Sequence, residues 1–128
     1  MKKNSHEVLL DSIWNQIKRT RNAGQEEYAQ DDDNCFANFE RIANLQGLKR
    51  EQILLTYLFK HIDGISSYVK GHKSQREDVR GRITDAIVYL TLLWGMIDED
   101  EYVYDGIETK SAKFKVAGYD NNGNKTKS

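Results

Sequence analysis

The chain has 128 residues, of which 38% are apolar and 30% charged, enough for one domain and hardly for two. Nineteen Lys and Arg against twenty Asp and Glu leave a net charge of -1, which excludes the basic surplus of a general nucleic-acid binder. The longest nearly apolar run, Ala86 to Ile97, falls short of the roughly 20 residues a bilayer crossing takes.

A single cysteine, Cys35, excludes an internal disulfide and a multi-cysteine zinc site. The N-terminal residues carry no cleavage-site pattern, so no secretion signal is expected and the expected compartment is the cytoplasm. There is no proline, which favours uninterrupted helices. The expected fold is all-α: a four-helix, bundle-like domain over residues 1–97. A polar tail or short hairpin follows over residues 98–128.

The first helix is expected from about His6 to Tyr28, with Asn4 as N-cap and Leu10, Ile13, Trp14 and Ile17 on one face. The second runs from about Cys35 to Leu45, capped by one of Asp32, Asp33 or Asn34 and stopped at Gly47. The third spans Arg50 to Lys70, with Leu54, Leu58, Ile62, Ile65 and Val69 as its apolar stripe and Gly71 as its stop. Thr56, Lys60, Asp63, Ser67 and Lys70 form the opposite stripe.

The fourth helix opens on Ser74-Gln75-Arg76-Glu77, a capping box. Its stripe is Val79, Ile83, Ala86, Leu90, Trp94 and Ile97. Beyond Ala86 it is apolar nearly all round, which calls for burial by more than three partner helices and points to a homo-oligomer, a dimer or higher. In the tail, Lys113 to Val116 alternates and Asp120-Asn121-Asn122-Gly123 reads as a turn.

Two polar clusters carry chemistry. Lys70, His72, Lys73, Arg76, Arg80 and Arg82 gather where the third helix gives way to the fourth. A helix start offers free N–H donors and a positive dipole end, and Arg76 and Arg80, four apart, share a face; together they suit a phosphate. Lys60 and Tyr28, the latter as a stacking platform for a base, complete the candidate ligand set. The plainer reading of the same residues is a solvated, salt-bridged helix start. The second cluster is acidic: Asp63, Asp78 and Asp85 can hold Mg²⁺ if they converge, since a hard cation takes oxygen ligands. Asp85 can instead pair with Arg82. His61 sits on the apolar stripe and reads as a buried, hydrogen-bonded histidine rather than a ligand. Cys35 reads as structural.

Four runs carry a resemblance: Glu27-Tyr28-Ala29, Asn38-Phe39-Glu40-Arg41-Ile42-Ala43, Leu55 to His61, and Asp85-Ala86-Ile87-Val88-Tyr89. Over residues 20–97 the chain resembles a group of small phage and prophage proteins, whose layout is similar to the all-α nucleotide pyrophosphohydrolases of the MazG type. The resemblance implies a helical, oligomeric bundle that handles nucleotides. The hydrolases place Glu-Glu-x-x-Glu on one helix and Glu-x-x-Asp on the next to hold Mg²⁺. Here Glu26-Glu27 is followed by Gln30, and Arg82 stands three residues before Asp85.

The first expectation is therefore a nucleotide- or cyclic-nucleotide-binding protein without a cofactor. It would hold its ligand uncleaved, in the manner of a phage anti-defence protein that sequesters a host immune signal. The second is a Mg²⁺-dependent pyrophosphohydrolase using Asp63, Asp78 and Asp85, and the third a protein-interaction module. No membrane partner is expected.

Overall fold

A computed structural model describes residues 1–28, 33–74, 76–101, 117–120 and 122–126. The described residues form an all-α, bundle-like fold of four helices: α1 (Lys3–Tyr28), α2 (Ala37–Gln46), α3 (Arg50–Val69) and α4 (Val79–Glu101). Two compact units divide the chain, Met1–Leu93 and Trp94–Ser128. None of the described helices is long and apolar enough to cross a membrane.

In the first unit, α1 starts earlier than its expected cap, so Asn4 lies inside the helix. The chain enters α2 through Asn34. Its Oδ1 accepts from the Phe36 N–H at 3.0 Å, its carbonyl accepts from Ala37 N–H at 3.2 Å, and its Nδ2 donates to Glu40 at 2.6 Å. Three bonds from one short side chain and its carbonyl make Asn34 the residue that turns the chain. Of the two alternatives, Asp32 lies outside the described residues. Gly47 ends α2 in the left-handed conformation at φ 67°, as its position predicts, and Gly71 follows α3 at φ 108°.

Phe36, Phe39 and Ala43 pack with Ile53, Leu54 and Leu58 to form the centre of this unit. Leu54 has no exposed surface. Arg50 ties the two helices together: it donates to Glu40 at 2.9 Å and lies over the Phe36 ring at 5.0 Å. The expected stripe of α3 stops halfway. Ile62 and Val69 are exposed, the latter at 78%. The reason is length: α2 has ten residues, about 15 Å, and covers only the first half of the twenty-residue α3.

The fourth helix also differs from its reading. It begins at Val79, so Ser74 and Glu77 precede it and form no capping box around its first turn. Asp78 caps it instead, its Oδ1 accepting from Arg80 N–H at 2.8 Å. Ala86 and Val88 are buried, whereas Ile83 and Leu90 are exposed. The expected stripe lies about a quarter turn round the helix, at 100° per residue, from the face that meets α3.

In the second unit, Met96 and Asp98 are buried. The turn expected near Asp120 is present. Asp120 Oδ1 accepts from Asn122 and Asn124 N–H at 2.9 and 2.8 Å, and Tyr119 bridges to Lys125 in antiparallel fashion. Gly118 and Gly123 both take φ 82°. The alternation over Lys113–Val116 lies outside the described residues.

Candidate ligand site on the seam between α3 and α4

Ascending residues of α3 meet descending residues of α4, so the two helices run antiparallel. Tyr57 stacks on Tyr89, with ring centroids 6.3 Å apart and planes at 11°. His61 meets Tyr89 at 5.6 Å and lies 3.7 Å from Asp85, Nδ1 to Oδ2. Gly64 meets the side chain of Arg82. Residues 57, 61 and 64 share one face of α3, and 82, 85 and 89 share one face of α4, because steps of three and four return to the same side of a helix. These bulky and polar residues hold α4 off α3. The backbones of α2 and α3 approach more closely, across smaller side chains.

The aromatic end of the seam is well packed. Phe39 from α2 meets Tyr57 and Tyr89 edge-on, at 6.2 and 6.1 Å. The other end is polar and only partly satisfied. The Arg82 side chain presses on the Gly64 backbone so closely that a Cβ there would stand 2.6 Å from Nη1 and 2.7 Å from Cδ and Cζ. Its Nε is buried and has no hydrogen-bond partner. The same holds for His61 Nδ1, whose contact with Asp85 is too long for a hydrogen bond. Native proteins satisfy nearly all buried polar groups, so two such atoms on one seam single it out as a candidate ligand site.

Burial pushes the Asp85 carboxyl above its ordinary range. His61 works against that shift, Glu77 adds to it by repulsion, and Arg82 opposes it more weakly. Glu77, just before α4, completes a group with His61 and Asp85: the three offer ligand atoms within 4.8 Å of one another. Among the described residues this is the one group of three His, Cys, Asp or Glu placed so. Asp63 is exposed on α3 and outside it. Asp78 is outside it too, held at the start of α4 by the Arg80 N–H, which lowers its carboxyl below the ordinary range.

Of the expected basic set, Arg82 alone enters the seam. Lys73 Nζ lies over the Tyr68 ring at 5.3 Å. Arg80 is exposed and paired with Asp78 at 3.4 Å. Arg76 precedes α4, so it does not share a helical face with Arg80. Lys60, Lys70 and His72 are exposed, and Tyr28 is the last residue of α1. The helix start expected to receive a phosphate already has the Asp78 carboxylate on it. His61, Gly64 and Glu77 are the site residues that sequence reasoning missed. The spacing 57-61-64 and 82-85-89 was readable, but nothing in the sequence aligns the two runs.

Set against protein-family models, curated proteins and solved structures, the chain matches none of them.

Proposed function

We propose that the protein binds a phosphorylated nucleotide, linear or cyclic, at the Arg82 end of the seam and holds it uncleaved. The observation that carries this reading is the buried, unpartnered Nε of Arg82. A guanidinium is always charged, and its buried Nε–H goes unsatisfied until an acceptor reaches that fork. Phosphate is the anion that its fork of donors fits best. Arg76, Arg80, Lys70 and Lys73 lie around the same turn between α3 and α4 and supply further positive charge, with His72 among them. Sequestering of a host signalling nucleotide by a phage-encoded cytoplasmic oligomer belongs to the same reading, on the strength of the sequence resemblance.

Calorimetric titration with a panel of mono-, oligo- and cyclic nucleotides tests it. At least one binds, and Arg82→Ala weakens it on the order of tenfold to a hundredfold, the worth of one charge-assisted bond to phosphate. The ligand is recovered intact by chromatography after incubation with Mg²⁺. Failure of every nucleotide to bind defeats the proposal and leaves the interaction module. Cleavage that needs both Mg²⁺ and Asp85 replaces it with the hydrolase.

A further inference from the structure

We infer that His61, Glu77 and Asp85 form a binding site for a borderline divalent transition ion of the Zn²⁺ type. The inference does not rest on nucleotide binding, since the site consists of different side chains and is tested with metal alone. His61 comes from α3, Asp85 from α4 and Glu77 from the segment before α4. They bring one imidazole and two carboxylates together within 4.8 Å.

The distances fit an ion better than a direct contact. At 3.7 Å, His61 Nδ1 and Asp85 Oδ2 are too far apart to hydrogen-bond. Two ligand atoms around a tetrahedral ion with bonds near 2.0–2.1 Å stand about 3.3 Å apart. The pair is therefore within a few tenths of an ångström of sharing a metal. Glu77 is exposed, so its side chain is free of the packing that would stop it from closing on the ion.

The second observation is the buried state of the imidazole. The His61 side chain is 13% exposed, yet Nδ1 is closed to solvent and makes no hydrogen bond. An imidazole nitrogen that faces a carboxylate oxygen at 3.7 Å stands close to the spacing at which one ion joins both. Glu77 and Asp85 bring two carboxylates together, and a divalent cation between them relieves their repulsion.

The donor set selects the class of ion. One nitrogen with two carboxylate oxygens suits Zn²⁺, Mn²⁺ or Co²⁺, whereas Mg²⁺ prefers oxygen alone. Three protein ligands leave a coordination position for water or a ligand oxygen.

Cobalt is the probe, because its ligand-field absorption reports coordination directly. Full-length protein is stripped with chelator and titrated with Co²⁺ at pH 7.5. The expected result is one Co²⁺ per chain, a visible absorption band of low-coordinate cobalt, and displacement by Zn²⁺. His61→Ala and Glu77→Gln each weaken binding by more than the roughly 10- to 100-fold that losing an outer partner of a metal ligand costs. Glu77→Gln changes an exposed side chain and leaves the helical circular dichroism intact. His6→Ala, on α1, leaves binding unchanged. Absence of stoichiometric Co²⁺ and Zn²⁺ binding to the wild type overturns the inference. So does binding that survives unchanged in Glu77→Gln and His61→Ala.

Discussion

Asp85 is the residue on which the seam's electrostatics turn. Its carboxyl titrates above the ordinary 3.8 because burial disfavours the charged form, and Glu77 adds to the effect after His61 has opposed it. A carboxyl raised on folding holds its proton more tightly in the native chain than in the unfolded one. Stability from this group is therefore lost as pH rises through the window above 3.8, and the penalty is fully present at neutral pH. Asp78 and Asp120 have the opposite sign, both lowered by backbone N–H bonds, and their contributions fade on acidification. Asp85→Asn keeps the shape and removes the charge. With chelator present, thermal melts at pH 7 place Asp85→Asn above the wild type, and the gain shrinks as the pH is brought toward 4. A lower melting temperature for the variant at pH 7 means that pairing with His61 and Arg82 outweighs burial. The sequence had already singled out Asp85, because it opens the apolar half of its helix. It placed His61 in a buried setting, which holds for Nδ1, but expected a hydrogen bond that this nitrogen does not make. A histidine between Leu58 and Ile65 has the pattern of a core residue, and only the facing helix reveals the carboxylate beside it.

At the scale of elements, helix type and extent were legible and helix facing was not. The 3.6-residue period and the stop residues Gly47 and Gly71 locate α2 and α3 to within two residues. The period does not say which partner covers a stripe, so the short reach of α2 along α3 left Ile62 and Val69 outside the core. Nor does it decide between two caps four residues apart. Ser74 has the capping-box spacing, but Asp78 accepts the N–H bond. Gly64 went unremarked because a glycine inside a helix usually signals nothing but a propensity cost. Its role belongs to the pair of elements, since α4 lays Arg82 where a Cβ would be. Gly64→Ala should favour α3 itself by about 0.5–1 kcal/mol. It should also drive the Arg82 side chain off its seat, because the added methyl stands 2.6–2.7 Å from it. The long side chain has other rotamers, so the fold survives. The expected outcome is an unchanged helical spectrum with nucleotide affinity reduced at least tenfold. Undiminished affinity shows that Arg82 does not need its seat to grip phosphate.

For the whole molecule, the question is what happens to the apolar surface that the described chain does not cover. A monomer leaves single apolar residues exposed without consequence. Here they fall in rows. On α1, Leu9, Leu10 and Trp14 are 40–48% exposed; on α4, Ile83, Leu90, Trp94 and Ile97 are 41–50% exposed at spacings of three, four and seven. Within each unit such spacing, Ile83 with Leu90 and Trp94 with Ile97, puts the residues on one side of a helix, and exposed apolar rows suit a protein–protein surface. The rows are the same ones that the sequence pattern picked out, Leu10 and Trp14 on the first helix and Ile83 to Ile97 on the fourth. On the fourth helix, that row is the one the sequence pattern assigned to burial by a second copy. The prediction is self-association: in sedimentation velocity at micromolar concentration the wild type runs as a dimer or higher species. Trp94→Glu sets a carboxylate in the row on α4, and burying an unpaired charge in an apolar interface costs several kcal/mol, on the order of a thousandfold in association. The variant then sediments as a monomer, or becomes insoluble where the remaining apolar surface finds other partners. A wild type that stays monomeric at high micromolar concentration removes the oligomer and leaves these rows as surface for a different protein.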